Sequence, residues 1–302
     1  MDTRHLIFDR RLVRQRKARA SAGLEGFDFL RRRVAEELAE RLAAVRREFP
    51  RAVEIGAEGP ELREALATVG TVGPLVGLAV DPALALRFGG PALVADEEAL
   101  PLGPATLDLA VSALVLQQVN DLPGTLVQIR RALRPDGLML AALLGGDTLC
   151  ELRAAFALAE AEITGGASPR VAPFADVRAL GGLLQRAGFA LPVADAEKVI
   201  VTYDDPLGLF QDLRGMGLAN ALVERSRRPM TRGLLGRVRD SYRERFAGAD
   251  GRVSATFEIV TLTAWAPDPS QQQPLKPGSA QMRLADVLKP PTDRRGRDAD
   301  GQ

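Results

Sequence analysis

The chain has one cysteine, Cys150, and one histidine, His5, among 302 residues. A lone thiol cannot close an internal disulfide, which fits a reducing compartment. A lone imidazole leaves no His-built metal site and no Ser-His-Asp triad, so no metal ligands and no catalytic residues are assigned. No apolar run reaches the ~20 residues that span a bilayer, and no signal-peptide core follows the start. Formal net charge is +1, which gives the molecule as a whole no electrostatic pull on nucleic acid. Apolar residues are plentiful at 46%, enough for a full core in one large domain or one domain with an insertion.

The small net charge hides an uneven distribution. Arg10, Arg11, Arg14, Arg16 and Lys17 crowd the start, where Asp2 and Asp9 are the acids. Leu6, Ile7, Phe8, Leu12 and Val13 give this stretch an apolar side. It reads either as an Arg-rich amphipathic targeting segment or as a helix that lies over the domain with its arginines in solvent. Residues 27–49 repeat apolar positions at helical spacing.

The stretch from Ala52 to Asp81 organises the rest. A short apolar strand ends at Ile55. Gly56, Ala57, Glu58 and Gly59 form a turn, and Pro60 with Glu61 starts a helix. A second buried strand over 75–80 ends at Asp81. This is the opening βαβ unit of a nucleotide-binding sheet, with an acid placed to accept hydrogen bonds from a ribose. Further strands are expected over 92–94, 107–112 and 138–144. A helix capped by Asp121 precedes the Arg134-Pro135-Asp136-Gly137 turn. Alternating strands and helices argue for an α/β, doubly wound, mostly parallel sheet. Beyond it, Asp147 and Thr148 read as the cap of a long helix, and residues 174–187 as a helix ended by Gly188. Strands are expected over 193–203 and 255–265, with mostly helical chain between. The division is 1–50, basic and amphipathic helices; 51–265, the main domain with a helical insertion over about 204–254; and 266–302, a Pro/Gln/Arg-rich strap and tail.

Several motifs then carry a resemblance: Asp96-Glu97-Glu98, Val119-Asn120-Asp121-Leu122-Pro123, Gly145-Gly146-Asp147-Thr148-Leu149 and Arg214-Gly215-Met216-Gly217. On these the chain resembles the class I S-adenosylmethionine (SAM) methyltransferases. Within them it is most similar to the arginine-hydroxylase assembly factors of respiratory complex I. The wider group includes the malonyl-acyl-carrier-protein O-methyltransferase of biotin synthesis. The resemblance implies a seven-stranded sheet ending in an antiparallel pair, S-adenosyl-L-methionine as cofactor and a complex I subunit as protein partner. It implies a cytoplasmic site in a bacterial-type chain, or the mitochondrial matrix in a eukaryotic one. By the same resemblance, Glu54, Gly56, Ala57 and Gly59 belong to the first glycine motif and Asp81 to the ribose. Asp96 would bind the adenine amine, with Glu97 next along the adenine, and Ser112 would lie beside the sulfonium. Each has a plainer reading: turn glycines, a helix cap at Asp81, a solvated Asp96, a small core Ser112.

Two departures stand out. Glu58 occupies a turn position where this class usually has glycine, and a glutamate there would repel the ligand's carboxylate if it faced inward. Gln117 and Gln118 stand where the family often has His-Trp. Four readings follow: a SAM-binding enzyme that hydroxylates an arginine of a complex I subunit; an O-methyltransferase for a small or carrier-bound carboxylate; an assembly scaffold with a degenerate SAM site; and, least favoured, an NAD-binding Rossmann enzyme.

Overall fold

The structure is a computed structural model that describes residues 6–272. Contacts divide the chain into Met1–Asp268 and Pro269–Gln302. His5 and all but the first few residues of the strap and tail lie outside the described residues.

The strands are β1 (Ala52–Ile55), β2 (Leu75–Ala79), β3 (Ala92–Val94), β4 (Leu107–Ala113), β5 (Leu133–Leu144), β6 (Ala190–Tyr203) and β7 (Val253–Trp265). They form one sheet in the order β3-β2-β1-β4-β5-β7-β6. The first five pair in parallel, and β7 runs antiparallel to both β5 and β6. The strand order reverses between β1 and β4, the point at which open α/β sheets leave a crevice outside their carboxyl ends.

The helices are α1 (Arg10–Ala20), α2 (Phe29–Ala43), α3 (Glu61–Ala67), α4 (Pro82–Arg87), α5 (Leu122–Ala132), α6 (Cys150–Thr164), α7 (Val177–Arg186), α8 (Pro206–Gly215) and α9 (Arg232–Phe246). One core packs α2 against the sheet through Leu30, Val34, Leu38 and Leu42, spaced four apart so that they share one helix face. A second core sets Leu126 and Ile129 of α5 and Leu180 and Leu184 of α7 against the other face. The insertion expected over 204–254 is α8, a loop and α9. Buried Tyr242 of α9 is tied to β7, its hydroxyl donating to the Ser254 carbonyl at 2.7 Å.

Three local expectations need correction. The Arg134 to Gly137 turn is the start of β5, where a register shift against β4 and a left-handed Asp136 (φ 60°) absorb the extra residues. Asp147 does not cap α6. The cap position is Leu149 in the left-handed region, with no side-chain bond, while Thr148 exchanges hydrogen bonds with the Glu258 backbone and Asp147 pairs with Lys198 at 2.6 Å. The helix expected over 27–49 stops at Ala43, and Phe49 instead bridges to Val72.

Leu38 is fully buried between α2 and the sheet. Leu38→Ala is expected to lower unfolding free energy by about 3 kcal/mol, from lost apolar burial plus the cavity left behind. Urea unfolding followed by circular dichroism measures it.

Candidate functional site

Alternation along β1 sends Val53 and Ile55 to one face of the sheet and Glu54 to the other, beneath α2. Glu54 is fully buried there. The Arg31 guanidinium of α2 faces it at 3.5 Å, and also meets Glu58 at 3.0 Å, Glu61 at 3.5 Å and the Ala113 carbonyl at 3.1 Å. Arg87 closes the group on Glu61 at 3.1 Å. Burial pushes the Glu54 carboxyl up to about 8, more than nearby Arg31 can offset. Its Oε2 has no hydrogen-bond partner.

Beyond this buried group, α1 crosses the carboxyl ends of three strands. Arg10, Arg14 and Lys17 are spaced four and three apart, so they project from one face of the helix. Lys17 Nζ lies 2.5 Å from Glu58, just past β1. Arg14 lies 3.5 Å from Asp81, just past β2. Arg10 lies 2.7 Å from Asp96, just past β3, and also engages Glu97 and Glu98. One cation therefore sits at each strand end, in the order of the strands. The arginines expected in solvent are in part engaged; among the described residues of this stretch, Arg11 and Arg19 are the ones that fit that expectation cleanly.

The other nominated residues are fixed by packing. Gly56 has φ +77°, and Val115 occupies the space of any Cβ, 2.5 Å from where one would stand. The amides of Gly56 and Ala57 both donate to the Leu78 carbonyl at 2.8 Å. Gly59 lies against the Glu61 carboxylate. Ser112 is buried and its hydroxyl donates to the Ile55 carbonyl at 2.8 Å, so it braces β4 to β1. Asp81 caps α4 through the Ala83 amide at 2.9 Å, and the plainer reading holds for that oxygen. Burial pushes the Asp96 carboxyl up, but the Glu98 amide and Arg10 outweigh it and hold it below the usual range.

Residues 27–192 match a family described as a methyltransferase domain. The arginine-hydroxylase NDUFAF5 of Danio rerio is 37% identical over 94% of this chain and 90% of its own length. Its Homo sapiens counterpart is 37% identical over 94% of this chain and 84% of its own. The chain belongs to this methyltransferase-domain family. A malonyl-[acyl-carrier protein] O-methyltransferase of Gallionella capsiferriformans is 33% identical over 87% of this chain and 93% of its own. Among solved structures, YcgJ of Bacillus subtilis superposes with TM-score 0.52 at 12% identity, covering 76% of this chain and 98% of its own. Phosphoethanolamine N-methyltransferase 2 of Haemonchus contortus, in complex with S-adenosyl-L-methionine, gives 0.50 at 14%, covering 82% and 57%. At such identities these two show the shared fold alone.

Asp81 and Asp96 stand just past the carboxyl ends of β2 and β3. One oxygen of each is engaged by Arg14 or Arg10, and Glu58 is buried with its charge met by Lys17 and Arg31. With α1 in this position the set does not admit a SAM molecule, which could enter only in exchange for these ion pairs. The sequence named the acids and missed the cations. The signal that could have found them is the helical spacing of Arg10, Arg14 and Lys17 against three strand-end acids.

A hollow of about 570 Å³ lies on the far side of the turn Leu116–Gln118 from these ion pairs. It is bounded by α6, α8 and that turn. Its walls are mainly apolar, with Leu152, Phe156 and Phe210 prominent. The Arg10 guanidinium donates to the Gln118 carbonyl at 3.2 Å, so the turn lies between α1 and the hollow.

The folded Glu54 keeps its proton up to about pH 8, whereas in the unfolded chain it is lost near the ordinary carboxyl range. The folded state thus holds the extra proton through that window, and stability falls as pH rises across it, by on the order of 1 kcal/mol per unit. Glu54→Gln is expected to flatten this slope. Urea unfolding at a series of pH values checks it, and an unchanged slope would place the ionisation elsewhere.

Proposed function

We propose that the chain modifies an arginine side chain of a protein partner, a subunit of respiratory complex I, during assembly of that complex. The modification is a hydroxylation, in which an oxidant from outside the chain delivers one oxygen atom into a C–H bond of the arginine, and the nucleoside ligand of the strand-end acids is S-adenosylmethionine. The observation that carries this reading is the similarity to arginine hydroxylases at 37% identity over 94% of the chain. The placement of Asp81 and Asp96 at the carboxyl ends of β2 and β3, on the same side of the sheet as the crevice at the β1/β4 reversal, supports the ligand. No described helix is long and apolar enough to cross a membrane; on this reading the chain meets its partner at the membrane surface, in the bacterial cytoplasm or, in a eukaryotic cell, the mitochondrial matrix.

Entry of the ligand requires α1 to give up its ion pairs, so the apparent affinity is reduced by the fraction of molecules in which α1 is displaced. Calorimetry with the full chain measures this. Wild type should bind SAM weakly, Asp81→Ala should abolish binding, and Arg14→Gln should tighten it by about tenfold, ~1.4 kcal/mol. A deletion strain should lose one oxygen atom from an arginine of a complex I subunit by mass spectrometry.

The scaffold reading is favoured by one observation, the inward Glu58 met by Lys17 and Arg31. Absence of heat with millimolar SAM for wild type and Arg14→Gln alike, with full rescue of assembly by Asp81→Ala, would replace the enzyme by the scaffold.

A further inference from the structure

The hollow bounded by α6, α8 and the turn Leu116–Gln118 is lined by two arginines, Arg170 and Arg214, and by no described acid. Several of its polar side chains are already spent within the protein. Gln117 gives its amide nitrogen to the Leu114 carbonyl at 2.7 Å. Asn220 donates to the Pro169 carbonyl and accepts from the Leu222 amide. Gln118 seals its Oε1 in the interior. The end it leaves for the hollow is its amide nitrogen, a donor. The side-chain groups left at the inner wall are therefore donors, and none of them repels an anion.

The two arginines differ in countercharge, and that sets a direction. Arg170 lies in the inner wall, over the Phe156 ring at 5.5 Å from its centroid. Glu160 accepts from its Nε at 2.7 Å and from a second nitrogen, so this pair is close to neutral. Phe156 meets Phe210 of α8, ring centroids 6.1 Å apart. Phe210 and Arg214 are four apart on α8, so they share one face of it, about one 5.4 Å turn apart. Arg214 is exposed and, among the described residues, has no ion pair. Exposed Gln211 and Met230 stand with it on the side open to solvent. Arg227 and Arg228 precede Met230 in the chain and are likewise exposed without an ion pair. The hollow is thus apolar and neutral within and cationic at its mouth. A guanidinium would be repelled there, so a partner's arginine is not the ligand. A dianion entering past Arg214 would have only one lining cation to meet it, whereas a single negative charge is matched.

We infer that this hollow binds a monocarboxylic acid with a hydrocarbon tail, its carboxylate at Arg214 and its tail running inward over Phe210 and Phe156. The volume of about 570 Å³ is that of a small-molecule site. Its walls come from several separate segments, Phe8, the turn, α6, α8 and Leu235 of α9 among them. A tail fills such an enclosure, whereas a peptide or a flat surface would meet the arginines and leave the inner walls empty. Burial of the tail supplies most of the affinity, and the carboxylate supplies orientation. The site is separate from the strand-end acids and does not depend on the arginine-modifying reading.

The test is ligand binding to the full chain without SAM, by calorimetry and saturation-transfer NMR below micelle-forming concentrations. The probes are decanoate, 1-decanol, decylamine, butanoate, malonyl-pantetheine and an acidic, leucine-rich peptide. Decanoate should bind at least about threefold tighter than decanol, the gain of an ion pair at a partly exposed cation. Decylamine should bind more weakly than either, and butanoate at least about tenfold more weakly than decanoate, for want of buried tail. Arg214→Gln should bring decanoate down to the decanol level and leave decanol unchanged. Raising salt to about 0.5 M should weaken decanoate and spare decanol. Arg214 is exposed, so the variant should fold, and thermal midpoints check it; the wild-type ranking decides even without it. Equal binding of decanoate and decanol, tighter binding of decylamine, no binding, or an Arg214→Gln variant that holds decanoate as wild type does would overturn the assignment. Preference for malonyl-pantetheine would give the hollow to a carrier-bound acid, and preference for the peptide would make it a docking surface; either also overturns it. A failed SAM titration leaves this site standing, and failure here leaves the arginine-modifying reading untouched.

Discussion

Three cations on one face of α1 meet three acids at the ends of three adjacent strands, and this match governs the site. Lys17, Arg14 and Arg10 reach Glu58, Asp81 and the Asp96 to Glu98 run in the order β1, β2, β3. The fit depends on two repeats coinciding, the helical step of three to four residues and the lateral spacing of parallel strands. The pairs differ in burial. Lys17 and Glu58 are nearly sealed from water, whereas Arg14 is half exposed. Removing one partner of a buried pair strands the other charge, while an exposed pair contributes little. Arg10 and Glu97 are also largely buried, so both ends of α1 are anchored and the Arg14 pair in the middle is the weakest of the three.

The same logic explains why Glu58 is tolerated in a glycine turn. An acid there would be costly if left alone in the interior. It is accommodated because Lys17 and Arg31 converge on it from two different helices. Glu54 is the member of this group that lacks enough countercharge, and it resolves the shortage by holding a proton. The charge network thus joins the glycine turn, α1 and α2 into one unit, and any ligand that enters must rearrange it.

The turn Leu116–Gln118 lies between this unit and the hollow. Its backbone accepts from Arg10 on one side, and Gln117 and Gln118 line the hollow on the other. A shift of α1 that frees Arg10 would therefore remove a hydrogen bond from the wall of that hollow.

Much of the architecture could be read from the chain. The short apolar strands, the glycine turn and the capping Asp121 are local features, set by hydrogen bonds and burial within a few residues. Where local reading failed, a distant partner intervened. Thr148 was taken by β7 rather than by its own helix, and Ser112 by β1. The strand-end positions of the motif acids were legible because each follows a short apolar run that reads as a buried strand. Their partners were not, because Arg10 is separated from Asp96 by eighty-six positions, and sequence spacing says nothing about which helix will cross which strand. By itself the sequence determined the alternation of strands and helices, the family and the positions of the acids, since periodicity and turn chemistry act locally. Only the tertiary structure decided that those acids face the chain's own cations and that Gln117 and Gln118 line a mainly apolar hollow, since both depend on contacts between elements far apart in the chain.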